Sequence, residues 1–219
     1  MAEPKISLNK LGEYMTASPA RRRRIVEDQI NPKTFLVARY SDAREYIINY
    51  ILGKSDEEEL LDAAEKLRTQ KYESDFTAQD KNLSADAIED FLEIADQIPS
   101  GYVYEKAANF ESSVLQISGV TVSIRPDIYI KNDNNKIVGA IKFHFPKTNP
   151  LNPTSGEYVA TALRTFLQEQ ESETVDHKLC LILDIPSENL IASPKATKKR
   201  MQDIDAACEE INARWKIKD

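Results

Sequence analysis

VSIRPDIYIKNDNNKIVGAIKFHF, residues 122–145, places two strand-like runs on either side of a polar turn. Successive side chains of a strand point to opposite faces, so parity assigns each residue a side. In the first run Val120, Val122, Ile124, Pro126, Ile128 and Ile130 share one parity, and Thr121, Ser123, Arg125, Asp127 and Tyr129 share the other. In the second, Ile137, Gly139, Ile141, Phe143 and Phe145 oppose Val138, Ala140, Lys142 and His144. Asn132, Asp133, Asn134 and Asn135 are turn formers, which predicts an antiparallel hairpin. The hairpin brings Asp127 and Lys142 to one face of one sheet. A carboxylate able to hold a divalent cation, beside an ammonium able to steady hydroxide or phosphorane charge, suits metal-dependent phosphodiester hydrolysis. A lysine within Ile141-Lys142-Phe143 also needs a partner once buried, so a structural ion pair predicts the same contact.

Arg125-Pro126-Asp127, followed after 12 residues by Ala140-Ile141-Lys142, resembles the signature of the PD-(D/E)XK nuclease superfamily, with alanine where the second carboxylate normally stands. The order of elements is similar too: helix 84–97, strands 113–118, 120–130 and 136–145, helix 157–168, strand 178–185, and a further helix over about 195–215. The resemblance implies an α/β, restriction-endonuclease-like core over residues 84–219. It implies Mg²⁺ or Mn²⁺ held by Asp127 and the Ile141 carbonyl, with Lys142 positioning the attacking water. It further implies nucleic acid, foremost DNA, as the substrate, in a restriction, repair or phage-defence setting.

Ala140 supplies no ligand, so a replacement acid is needed. Fourteen residues separate Lys142 from Glu157, close to a variant arrangement of the superfamily in which the acid moves onto the following helix. Thr154-Ser155-Gly156-Glu157 is also a capping box, which explains the glutamate without a metal. Glu111, just before the first strand, is a further metal candidate, with Glu105, Glu89 and Glu93 behind it. His144 could relay a proton or touch phosphate, and Arg125 and Lys147 could contact a nucleic-acid backbone. Thr161, Arg164 and Gln168 continue a polar stripe from Glu157.

Residues 1–83 read as a helical extension. Ser18-Pro19 starts a helix that Asn31-Pro32 stops, Ser41 is expected to cap a second, and Ser55-Asp56-Glu57-Glu58 to open a third as a capping box. The polar stretch 69–84 reads as a loop. Arg21, Arg22, Arg23 and Arg24 are consecutive. Arg21 and Arg22 are candidates for phosphate contact, but four successive residues at about 100° each sweep most of a helix circumference, so a solvated face fits as well.

The chain has 219 residues, 41% of them hydrophobic, enough for one large domain or two small ones. Net charge is −7, distributed as +3 over 1–50, −9 over 51–100, +2 over 101–150 and −3 over 151–219. That excludes a general nucleic-acid coat while leaving the motif region able to face a polyanion. Cys180, Cys208 and two histidines match no zinc spacing. No run reaches the length of a membrane span and the N-terminal stretch lacks the apolar core of a secretory signal, so no membrane partner and a cytoplasmic location are expected. The alternative to a nuclease is a catalytically inactive protein of the same fold, binding nucleic acid, a partner protein or a second copy of itself. The acidic helices over 41–68 could serve as an adaptor surface.

Overall fold

Two hydrophobic cores lie on opposite faces of one five-stranded sheet. The computed structural model describes residues 3–31, 39–108, 113–171 and 175–216. Its elements are β1 (Lys5–Ser7), α1 (Leu8–Thr16), α2 (Pro19–Ile30), α3 (Ser41–Ile51), α4 (Glu57–Thr69), α5 (Asp75–Leu92), β2 (Val103–Lys106), β3 (Val114–Ile117), β4 (Val120–Ser123), β5 (Ile128–Lys131), β6 (Ile137–His144), α6 (Pro153–Glu171), β7 (Cys180–Asp184), β8 (Asn189–Ala192) and α7 (Lys198–Lys216). The sheet order is β2-β5-β6-β7-β8, with β6 and β7 parallel and the other neighbours antiparallel. A second, three-stranded sheet has the order β1-β4-β3. The protein is therefore α/β with mixed sheets. Among the described residues no helix is long and apolar enough to cross a membrane.

The expected hairpin forms as β5 and β6, but a register shift between Ile130 and Lys131 reverses the parity at its turn end, so that Val138 joins the core of Ile141 and Phe143 and Ile137 packs against the core of Ala140. Asn132 Oδ1 accepts the Asn134 and Lys136 amides at 3.0 and 3.1 Å, and Asn135 takes a left-handed φ of 58°. The strand expected over 120–130 is broken. Arg125 has φ 43°, an uncommon conformation for a residue with a Cβ, and Pro126 has no N–H for a ladder. The break moves the chain between layers. Val120, Val122 and Ile124 belong to the core with α1, α6 and α7, whereas Ile128 and Ile130, of the same parity, belong to the core with α3, α4 and α5.

That break also sends the β3–β4 hairpin into the small sheet, so the first strand of the main sheet is β2, which alternation did not reveal. The stretch 69–84 is not a loop, because α5 starts at Asp75, capped by Ser74, whose Oγ accepts the Thr77 N–H at 3.1 Å. The boundary drawn between 83 and 84 falls inside α5, whose Ala85, Ala87, Ile88 and Phe91 share one core with β5, β6 and β7. Ser18 caps α2 as its sequence implies. Ser41 does not cap α3: Tyr40 holds that position at φ 63° with no side-chain bond. The capping box of α4 is Asp56 with Glu59, one residue beyond the expected frame.

Gly139 is required by close approach. A Cβ there would stand 2.2 Å from the Leu179 carbonyl oxygen. Gly139→Ala is expected to cost about 1–3 kcal/mol as the strand shifts to relieve the overlap, read as a lowered urea midpoint at unchanged slope.

Candidate functional site

Asp127 is buried, 6% exposed, where the break in the chain delivers it to the edge of β5. Its Oδ2 accepts the Phe143 N–H at 2.7 Å and Lys142 Nζ at 3.1 Å, and its Oδ1 is ion-paired with the Arg44 guanidinium of α3. Lys142 Nζ also donates to the Arg125 carbonyl at 2.8 Å. Burial, and then the charges of Arg44 and Arg125, push the Lys142 ammonium down to about 7 although Asp127 is in contact. Arg44 is held over the Phe145 ring, 5.2 Å from its centroid, and Phe145 stacks on Tyr40. Arg44 and Lys142 thus bring two positive charges onto one carboxylate, and the exposed Arg125 adds a third beside Lys142.

Sequence reading identified Asp127, Lys142 and Arg125 and missed Arg44. Nothing local distinguishes that arginine: it flanks the buried stripe Ala43, Ile47, Ile48 and Ile51 of an amphipathic helix, where a solvated side chain is the ordinary expectation. Its partner is fixed only when α3 packs across the end of β6.

The other candidates lie elsewhere or are already engaged. Glu157 pairs with Arg200 of α7. It is not the third residue of a capping box either, because α6 begins at Pro153 and Asn152 Oδ1 accepts the Ser155 N–H at 2.8 Å. The stripe after it also serves structure: Thr161 Oγ1 bonds the Glu157 carbonyl at 2.7 Å, and Arg164 donates to the Pro194 and Lys195 carbonyls at 3.1 and 3.2 Å. The Ile141 carbonyl accepts the Asp127 N–H at 2.9 Å. Lys147 bridges Asp86 and Asp90 of α5 at 3.3 and 3.2 Å. Arg21 pairs with Glu13, and Arg22 binds Glu210 and the Tyr14 and Met15 carbonyls. Glu105 pairs with Lys131 at 2.5 Å and Glu89 with Arg68. Glu111 lies outside the described residues.

Ala140, where the resemblance leads one to expect a second carboxylate, is 0% exposed in the core that contains Val159, Ala160 and Leu163. As the side chains stand, the donor set does not fit a divalent cation. Both oxygens of Asp127 are held by positive groups; Glu157, Glu105 and Glu89 are paired elsewhere, Glu93 is exposed at the C-terminal cap of α5, and Glu111 lies outside the described residues.

His144 is 3% exposed, with Nε2 2.8 Å from the Asn149 carbonyl, and burial lowers its pKa to about 4. It is neutral near pH 7 and so brings no positive charge to a phosphate. Asp184, its register partner on β7, accepts the Leu151 N–H at 2.9 Å, and burial raises it to about 6. The two pull stability in opposite directions. The folded His144 resists the proton its unfolded form takes up at 6.5, so stability is lost as pH falls from 6.5 towards 4. The folded Asp184 takes a proton its unfolded form does not accept until 3.8, so stability is gained as pH falls through 6 towards 3.8. Relative to wild type, Asp184→Asn is expected to steepen acid destabilisation across this window and His144→Gln to flatten it, measured by urea unfolding in steps from pH 7 to pH 4.

Comparison of the chain with protein-family models, curated proteins and solved structures yields no match in any of the three.

Proposed function

We propose that this chain is a nuclease-fold protein that binds the phosphates of nucleic acid at the Asp127 centre without cutting them. The observation that carries this is the engagement of both Asp127 oxygens by Arg44 and Lys142. A divalent cation would have to displace two like charges there, whereas a phosphate oxygen would meet them favourably. The order α5, then β2, β5 and β6, then α6, then β7 supports the PD-(D/E)XK-like, restriction-endonuclease-like reading, with β2 in the place first given to 113–118. DNA is the expected polymer. The Asp127–Lys142 juxtaposition favours a second reading, the Mg²⁺- or Mn²⁺-dependent nuclease, which requires Arg44 to leave Asp127.

One experiment separates them. Wild type, Arg44→Gln and Lys142→Met are mixed with labelled duplex DNA, single-stranded DNA and RNA at low salt, with and without Mg²⁺ or Mn²⁺, and followed by gel shift and product length. Binding without shortening, weakened about tenfold or more in both variants, is the expected result. Metal-dependent shortening that Lys142→Met abolishes would establish the nuclease instead. No shift with any polymer would overturn both.

A further inference from the structure

The charge around Asp127 does not balance. Arg44 and Lys142 contact the single Asp127 carboxylate and the exposed Arg125 adds its charge beside Lys142, while Lys106 is paired with Glu45, Lys131 with Glu105, and Lys10 and Arg21 share Glu13. The excess is also recessed. The side chains of Asp127 and Lys142 are 5% and 12% exposed, while Arg44, at 37%, stands at the rim. Lys142 directs two of its three donors to Asp127 and the Arg125 carbonyl, leaving one N–H uncommitted among the described residues. The Arg44 guanidinium, with five N–H donors, likewise retains donors beyond those on Asp127.

We infer that this centre takes a phosphate monoester, the dianion at the end of a nucleic-acid strand, in preference to a diester within it; the inference rests on the nucleic-acid reading above. Two physical differences favour the terminal group. A monoester carries close to two negative charges near neutral pH, because its second ionisation lies at about 6, and so it is drawn to the positive excess more strongly than a diester and favours the charged form of Lys142, which the site by itself holds at about 7. An internal diester carries one. A diester also has chain on both sides and must bring both down to a recessed ammonium. A terminal phosphate has chain on one side only, and its three free oxygens offer more acceptors to the spare donors of Lys142 and Arg44. The centre would therefore recognise strand ends, and internal backbone would contact only the exposed arginines at the rim.

The test is fluorescence anisotropy on the full chain, using short oligonucleotides of one sequence that end in a 5′-phosphate, a 3′-phosphate or hydroxyls, single-stranded and duplex, with a nucleoside 5′-monophosphate as competitor. A phosphorylated end is expected to bind about tenfold or more tightly than a hydroxyl end, and Arg44→Gln and Lys142→Met are expected to erase that preference. Circular dichroism checks that both variants are folded. A measurement that needs no variant accompanies it: on wild type, inorganic phosphate should release the phosphorylated strand far better than chloride at equal ionic strength. Equal binding of all ends, or equal release by the two salts, overturns the inference and leaves the nucleic-acid reading standing. A mononucleotide that competes as well as an unlabelled strand upholds the monoester and overturns the nucleic-acid reading. Absence of binding overturns both.

Discussion

Asp127→Ala is expected to destabilise the protein by about 3–5 kcal/mol, because removing one member of a buried pair strands the other without compensation. Asp127 is 6% exposed and balances Lys142 and Arg44 while accepting the Phe143 N–H. Its loss leaves an ammonium, an amide and a guanidinium short of an acceptor. For a chain of 219 residues each kcal/mol corresponds to roughly 2–4 °C in Tm, so the midpoint should fall by about 6–20 °C. Asp127→Asn retains an oxygen for the Phe143 amide and should fall between. The double variant Asp127→Ala/Lys142→Met should regain part of the loss, since the stranded charge is gone.

The pH dependence has a definite sign. Lys142 has a folded pKa depressed from 10.5 to about 7, so its charged form costs stability in full below 7, and the cost is relieved as pH rises from 7 towards 10.5. The Lys142 share of the Asp127→Ala deficit should therefore shrink above pH 7. A loss under about 1 kcal/mol, flat in pH, would show that the pair carries no structural weight and would free Asp127 for other chemistry.

Ala140→Glu, which would complete the signature that the sequence resembles, is expected to abolish or severely impair folding without creating a nuclease. Ala140 is 0% exposed among Val159, Ala160 and Leu163. A glutamate would place four further heavy atoms beyond Cβ and a charge in a packed core. Overpacking alone costs about 1–3 kcal/mol and an unpaired buried carboxylate several more. The measurement is the soluble yield and urea midpoint of the variant, followed by an Mn²⁺-dependent cleavage assay on whatever folds. A stable, Mn²⁺-dependent Ala140→Glu nuclease would mean that the core opens at this position and that the hydrolytic reading is the better one.

Much of the centre was legible because it rests on local rules. Period-two alternation and the Asn-rich turn specify a hairpin, but the register shift between Ile130 and Lys131 is what carries Lys142 to Asp127, since the pairing at the turn end would continue to Ile141 instead. A lysine in an otherwise apolar strand announces a partner, and the one carboxylate at the matching position answers. The limits are those of helices and strands decided by packing. The segment 69–84 is polar, yet α5 forms there because Ser84, Ala85, Ala87, Ile88 and Phe91 bury against α4 and the sheet. The two halves of 120–130 have one parity and two environments, since a left-handed Arg125 and a proline rotate the chain from one layer to the other.

The charges divide in the same way. Glu157 was placed near the metal by its spacing, but spacing along a helix does not say which neighbour the helix presents it to, and α7 supplies Arg200 first. The sequence by itself determined an α/β chain with the β5–β6 hairpin, because turn chemistry and side-chain period act over a few residues. Only the tertiary structure decided that Arg44 closes on Asp127, that Ala140 lies under α6 and that Glu157 faces α7. Ion pairs and burial depend on distances between segments remote along the chain, which packing alone sets.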